Sequence, residues 1–291
     1  MKLDLAARLR GLATLCLLAG LLAPQTPVRA EGELLMGLVP AEDPSIVVND
    51  NQAIIKALEA GTGMTVKPFV ATDYNGVIEA LRAKRLDLAI LGPFSYVLAA
   101  SVTQVDPIAI AATQTQGASY HALIIARRDS GIATLADLKG HSFSFVDPSS
   151  ASGHLFPKTG MLKAGLNPDS DLRAIFAGSH DASVLALLNG KVDAAAVADS
   201  LLDTVVARGL AKREDLTVVW QSDPIPGAPV VMRSDLPAEV KAKLIAAFAG
   251  MHDVPWSKGA VITGWVPATD ADFQVVRDTA RLLNLDLGKM K

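Results

Sequence analysis

The sequence predicts an α/β protein of two lobes joined by extended crossing segments, and three observations carry that expectation. Short apolar runs alternate with helically spaced apolar residues along almost the whole chain, which favours mainly parallel sheets covered by helices. The runs are too many for one small sheet, and the 261 residues that follow the first 30 are near the length at which a single core splits in two. No low-complexity linker separates the halves, so the lobes are expected to share crossing segments rather than follow one another as beads.

The first 30 residues read as an export signal. Lys2, Arg8 and Arg10 precede an apolar run from Gly11 to Ala23, and small residues end the segment at Val28-Arg29-Ala30. Cys16 follows Leu15 inside the apolar run, which argues against a lipid-modified cleavage point. Cleavage after Ala30 removes this cysteine, and with it any disulfide or thiol chemistry. It also removes Lys2, Arg8, Arg10, Arg29 and Asp4, taking the formal net charge from −3 to −6. That balance argues against nucleic acid as a partner. No later apolar run reaches the roughly 18 residues of a membrane span, so no direct membrane insertion is expected.

Beyond the signal, strands are expected at 34–39, 66–70, 88–91, 108–112, 121–126, 142–146, 194–198, 217–220 and 229–232. Helical faces are marked by Val77, Ile78 and Leu81, by Val184, Leu187 and Leu188, by Val240, Leu244 and Phe248, and by Phe273, Val276, Ala280 and Leu283. The expected division is a first part of lobe I over 31–126, lobe II over 127–223, and a return to lobe I over 224–291.

A weak internal echo runs through this pattern. Tyr74-Asn75-Gly76-Val77-Ile78-Glu79-Ala80-Leu81 leads to Asp87, and His180-Asp181-Ala182-Ser183-Val184-Leu185-Ala186-Leu187 leads to Asp193, the polar ring preceding the aspartate by 13 residues in both. Equivalent helices in facing halves would turn Tyr74 and His180 into the gap between them.

The stretch Phe145-Val146-Asp147-Pro148-Ser149-Ser150-Ala151-Ser152-Gly153-His154 is an apolar strand running into a turn that opens a helix. Hydroxyls and free amides gathered at a helix start can hold an anion without Arg or Lys; a plain serine N-cap gives the same pattern. Enzyme readings find little support. The five histidines form no metal-binding pair and no Gly-x-Ser-x-Gly elbow or Gly-rich phosphate loop occurs, so no catalytic residue, metal or cofactor is expected. Neutral donors suited to an oxyanion remain: Tyr74, Tyr120, Ser150, Ser152 and His180, the last of which would add a charge-assisted bond only as an imidazolium, a charge state the residue types leave open.

Asp73-Tyr74-Asn75-Gly76, Gly92-Pro93-Phe94-Ser95-Tyr96, Tyr120 ahead of Ala122-Leu123-Ile124-Ile125, Asp147 to Gly153 and the helix opened by His180 together resemble, in order, the periplasmic phosphate/phosphite/phosphonate-binding proteins of ABC transporters. The resemblance implies the two-lobed periplasmic binding fold (type II), with a ligand cleft between closing lobes. It implies a periplasmic, monomeric capture component that delivers a phosphorus oxyanion to a membrane permease. Its ligand-binding positions would be Tyr74, Tyr120, Ser150, Ala151, Ser152 and His180. Ala151 stands where the family carries a hydroxyl, so only its amide can contribute. Aminophosphonate binders of the family carry an aspartate in an Ile-Pro-x-Asp-Pro context; here the run is Ile225-Pro226-Gly227-Ala228-Pro229, which leaves a ligand ammonium without that partner. A smaller oxyanion or one with an uncharged tail is therefore expected over 2-aminoethylphosphonate. A sulfonate or phosphate would meet the same donors, and a sensory subunit reporting to a membrane kinase would use the same lobes.

Overall fold

A computed structural model describes residues 32–257 and 260–289; the expected export signal lies outside the described residues. Fourteen strands follow in chain order: β1 (Glu33–Leu38), β2 (Thr65–Val70), β3 (Leu88–Ile90), β4 (Val105–Thr113), β5 (Ser119–Tyr120), β6 (Ala122–Arg127), β7 (Ser142–Phe145), β8 (Arg173–Phe176), β9 (Ala194–Ala198), β10 (Leu216–Gln221), β11 (Ile225–Pro226), β12 (Pro229–Arg233), β13 (Val254–Trp256) and β14 (Ala260–Pro267). They form a seven-stranded sheet in the order β13-β14-β4-β12-β3-β1-β2, a five-stranded sheet in the order β10-β6-β9-β7-β8, and a two-stranded ribbon of β11 and β5.

Alternation along the strands places apolar side chains on both faces of each sheet. Leu34, Met36 and Leu38 of β1 pack under the helices Gln52–Thr62 and Ala238–Ala249, while Leu35 faces the opposite cluster, which contains Val77, Phe94 and Val276. In β6, Leu123 and Ile125 join Val184 and Val205 on one side; Ile124 and Ala126 join Phe143 and Met161 on the other. Strands buried on both faces read as unbroken apolar runs, which is why these were legible in the sequence.

The expectation of mainly parallel sheets is corrected. β1 with β3, β7 with β8 and β7 with β9 run parallel, but β12 runs against its neighbours β3 and β4, and β14 against β4 and β13, in one sheet, and β6 runs against β9 and β10 in the other. For β6 and β12 the physical reason is the return path: each enters its sheet directly from the ribbon of β5 and β11, with no crossover helix to reverse its direction. β6, placed above in the first segment of lobe I, is hydrogen-bonded within the five-stranded sheet. The passages between sheets run through β5 and β11, which pair with Tyr120 opposite Ile225 and Ser119 opposite Pro226.

Candidate functional site

The internal echo is a repeated structural unit. Tyr74 and His180 are the first residues of the helices Tyr74–Arg82 and His180–Leu188. Asp73 caps the first by accepting from the Gly76 amide at 2.7 Å, and Ser179 caps the second by accepting from the Ala182 amide at 3.3 Å. Each later aspartate ties its unit to the sheet: Asp87 accepts from the Leu35 amide at 2.8 Å, and Asp193 from the Ser142 amide at 2.9 Å.

The loop after β7 is held from inside. Asp147 accepts from the Ser149 amide at 2.7 Å and from the Tyr74 amide at 3.4 Å, and Ser95 Oγ donates to the Ser149 carbonyl at 2.9 Å. Ser150 caps one π-helical turn, Ala151–Leu155, which runs on into the helix Phe156–Lys163. Its Oγ accepts from the Gly153 amide at 3.0 Å and its carbonyl accepts from the Leu155 amide at 3.0 Å. His154 is a fastener: its Nδ1–H donates to the Pro148 carbonyl at 2.9 Å, and its ring packs edge-on against Phe145 and Phe176.

Ser150 stands beside the Tyr74 hydroxyl, and Ser152, through both hydroxyl and amide, beside that of Tyr120. Burial pushes both phenols well above their ordinary range, so each stays a protonated donor. His180, whose charge the sequence leaves open, is held neutral. Burial holds this histidine down at about 4, against an ordinary 6.5, and its Nδ1 accepts from the Ala198 amide at 3.1 Å. The ring is neutral at pH 7, with its proton on Nε2, so it offers one neutral donor.

Tyr74, Tyr120, Ser150, Ala151, Ser152 and His180 all line one cavity of about 210 Å³. Among the described residues no Lys or Arg lines it. Positive potential comes instead from helix starts: Tyr74, Pro93, Ala151, His180 and Ser200 lie in the first turns of five helical segments that open onto the same space. Polar hydrogens at one pole, with no mobile cation, suit an oxyanion held by geometry.

Two sheets, linked by a short antiparallel ribbon and sharing this donor-lined cleft, define a two-lobed binding protein of the type II periplasmic class. Residues 36–273 match the family described as "ABC transporter, phosphonate, periplasmic substrate-binding protein", and the chain belongs to that family. The phosphate-import protein PhnD of Mycolicibacterium smegmatis is 36% identical over 268 residues, covering 84% of this chain and 84% of that protein. The phosphonates-binding periplasmic protein of Escherichia coli is 30% identical over 267 residues, covering 89% and 78%. The crystal structure of a binding protein component of an ABC phosphonate transporter from Pseudomonas aeruginosa superimposes with a TM-score of 0.78 at 27% identity, covering 87% and 86%. This is a transport family rather than an enzyme family, and its members work in the periplasm.

A second group of cavity residues escaped the sequence reading. Glu42, on the loop after β1, and Asp50, at the end of the helix Pro44–Asp50, both bond Arg208, at 2.6 and 2.7 Å. Arg208 caps the helix Asp199–Ala207 on the five-stranded sheet, so the cluster ties the two sheet layers together. Glu42 lies in Ala41-Glu42-Asp43, which looks like any solvated acidic loop; nothing in the sequence joins it to Arg208. Burial outweighs the guanidinium and raises Glu42 to about 7.

These shifts give a pH dependence of known sign. His154 and His180 are both held at about 4, so between pH 6.5 and 4 the unfolded chain takes up protons that the folded chain refuses, and stability falls with pH. Glu42 acts oppositely: the folded protein takes its proton between about 7 and 4.5, so its contribution rises as pH falls. From pH 7 to 5 the two histidines together remove about 4 kcal/mol and Glu42 restores about 2. Urea unfolding should therefore show a net loss of about 2 kcal/mol in the wild type and about 4 in Glu42→Gln; equal losses would contradict the Glu42 assignment.

Proposed function

We propose that the protein captures a phosphorus oxyanion, a phosphonate in preference to phosphate, and passes it to the permease of an ABC importer. The observation that carries this is the polar pole of the cleft: two tyrosine hydroxyls, Ser150, Ser152 and neutral His180 converge with five helix starts, and no basic side chain lines the wall among the described residues. The names of the two curated relatives support phosphate and phosphonate alike; Ala228 in the wall, and apolar residues beyond it, favour a phosphonate with an uncharged group. The capture protein does no chemistry on its ligand, works as a monomer, and reaches the periplasm by cleavage of the signal after Ala30. The lobes divide with the first passage at β5 rather than after residue 126, and with the return at β11, so that Tyr120 lies on the hinge ribbon.

Binding should be measured by calorimetry and thermal shift on residues 31–291 with methylphosphonate, phosphite, phosphate, sulfate, taurine and 2-aminoethylphosphonate. Methylphosphonate at 100 times its Kd should stabilise the protein by about 2.7 kcal/mol, with sulfate, taurine and 2-aminoethylphosphonate weaker. Tyr120→Phe and Ser152→Ala should each weaken it about 10- to 100-fold, the cost of one hydrogen bond to a charged group. Selective binding of taurine or sulfate would replace this reading with a sulfur oxyanion. Undiminished affinity in both variants would remove these residues from the site.

A further inference from the structure

Three of the helix starts around the oxyanion donors hold carboxylates of the protein's own. Asp147 Oδ2 accepts from the Tyr74 amide at 3.4 Å, at the head of the helix Tyr74–Arg82. Asp181, the second residue of the helix His180–Leu188, accepts from the Ala182 amide at 2.9 Å and from the Asp43 amide, on the loop after β1, at 3.1 Å. Asp199 opens the helix Asp199–Ala207 and accepts from the Ser200 amide at 2.7 Å. Each takes up part of the positive potential that its helix start would otherwise offer to a ligand.

Asp147 and Asp181 are 6% and 8% exposed, so salt screens their charges little. Burial and the neighbouring Asp73 raise Asp147 from its ordinary value, and the amides of Ser149 and Tyr74 oppose the rise. After burial, the charges of Asp147 and Asp181 help keep Tyr74 protonated, and that of Asp199 does the same for Tyr120. All three carboxylates therefore stand within electrostatic reach of the hydroxyls that would meet the ligand.

Glu42, on the cavity wall, shows what these surroundings do to an acid. Burial first, and then Asp50 and Asp181, hold its proton up to about 7 although Arg208 is bonded to it. Among the described residues no Lys or Arg lines the cavity, and the nearby Arg208 is already bonded to Glu42 and Asp50. A phosphonate loses its second proton near neutral pH, as a phosphate group does. One negative charge is met by the neutral donors and the remaining helix potential. A second has no cation to meet, and each facing carboxylate disfavours it by roughly tenfold at the effective dielectric of a protein.

We infer that Asp147, Asp181 and Asp199 make the cleft select its phosphonate by charge, taking the singly ionised form with one P–OH retained and rejecting the dianion. This rests on the phosphonate reading above and sets the charge of the ligand. Between pH 6 and 8.5 His180 stays neutral and Tyr74 and Tyr120 stay protonated, so Glu42 is the facing group whose titration overlaps that of the ligand.

Calorimetry on the wild type across that pH range, with methylphosphonate and chloromethylphosphonate, tests it. Chlorine withdraws electrons, so the second ionisation of the chloromethyl compound comes at lower pH. Affinity for each should fall about tenfold per pH unit above that ligand's own second ionisation, beginning at lower pH for the chloromethyl compound. Asp181→Asn and Asp199→Asn keep a side-chain acceptor and remove the charge. In each, the fall for methylphosphonate between pH 6 and 8.5 should shrink about 2- to 5-fold. Affinity that holds level or rises with pH means that the dianion binds, which overturns charge selection and leaves phosphonate capture standing. A fall that begins at the same pH for both ligands belongs to a protein group such as Glu42 and overturns it equally. A fall undiminished in both variants overturns the role given to the carboxylates. No binding of either ligand at any pH overturns phosphonate capture and the inference with it.

Discussion

Gly153→Ala should abolish measurable oxyanion binding and destabilise the protein by about 3 kcal/mol, although the change adds one methyl group. A Cβ at this position would lie 2.3 Å from Val146 Cβ and 2.8 Å from Ser150 Oγ. Neither neighbour can yield. Val146 is fully buried at the end of the strand segment, and its amide donates to the Gly153 carbonyl at 3.0 Å. Ser150 Oγ accepts from the Gly153 amide at 3.0 Å and fixes the start of the π turn. Relief therefore has to come from the turn itself, which would carry Ser150 and Ser152 away from the tyrosines facing them. Urea unfolding gives the stability change and calorimetry with methylphosphonate the affinity. Wild-type affinity in a stable Gly153→Ala protein would mean that the turn does not set the site.

Arg208→Met should cost about 3 kcal/mol at pH 8, because it leaves the buried carboxylate of Glu42 beside the half-buried one of Asp50 without their cation. Glu42 and Asp50 are each bonded to the guanidinium, and Glu42 is 5% exposed. The pH dependence separates this mechanism from simple loss of packing. Without Arg208 the carboxyl of Glu42 holds its proton to higher pH, so the destabilisation should shrink as pH falls from 8 to 5.5. Adding Glu42→Gln to Arg208→Met should recover much of the loss at pH 8, a coupling that a double-mutant cycle reads directly. Since Arg208 comes from a helix on one sheet and its partners from the other side, the variant should also hold the two layers together less firmly and bind ligand more weakly. A loss independent of pH, with no recovery in the double variant, would leave Arg208 as a packing residue only.

The internal echo illustrates how local signals carried through to geometry. The cap, the ring at the first helical position and the aspartate 13 residues on are all set within one stretch of chain. The structure gives both copies the same bonds, Asp87 to the Leu35 amide and Asp193 to that of Ser142. Shorter elements were missed for the opposite reason. β5 and β11 are each two residues long and owe their pairing to each other, across a sequence gap no periodicity spans. β8 is exposed along its whole length and has no apolar alternation to announce it.

By itself the sequence determined the α/β class, the doubly buried central strands and the donor-bearing helix starts at Tyr74, Ser150 and His180. These follow from spacing, capping and turn chemistry among neighbours in the chain. Only the tertiary structure decided the mixed strand directions, the neutral state of His180, the bonding of Arg208 to Glu42 and Asp50, and the apolar end of the cleft at Ile54, Ile262 and Trp265. Those depend on burial and on contacts between residues far apart in sequence. A histidine's charge is set by the water it loses and the amide it meets, and neither is written in the residues beside it.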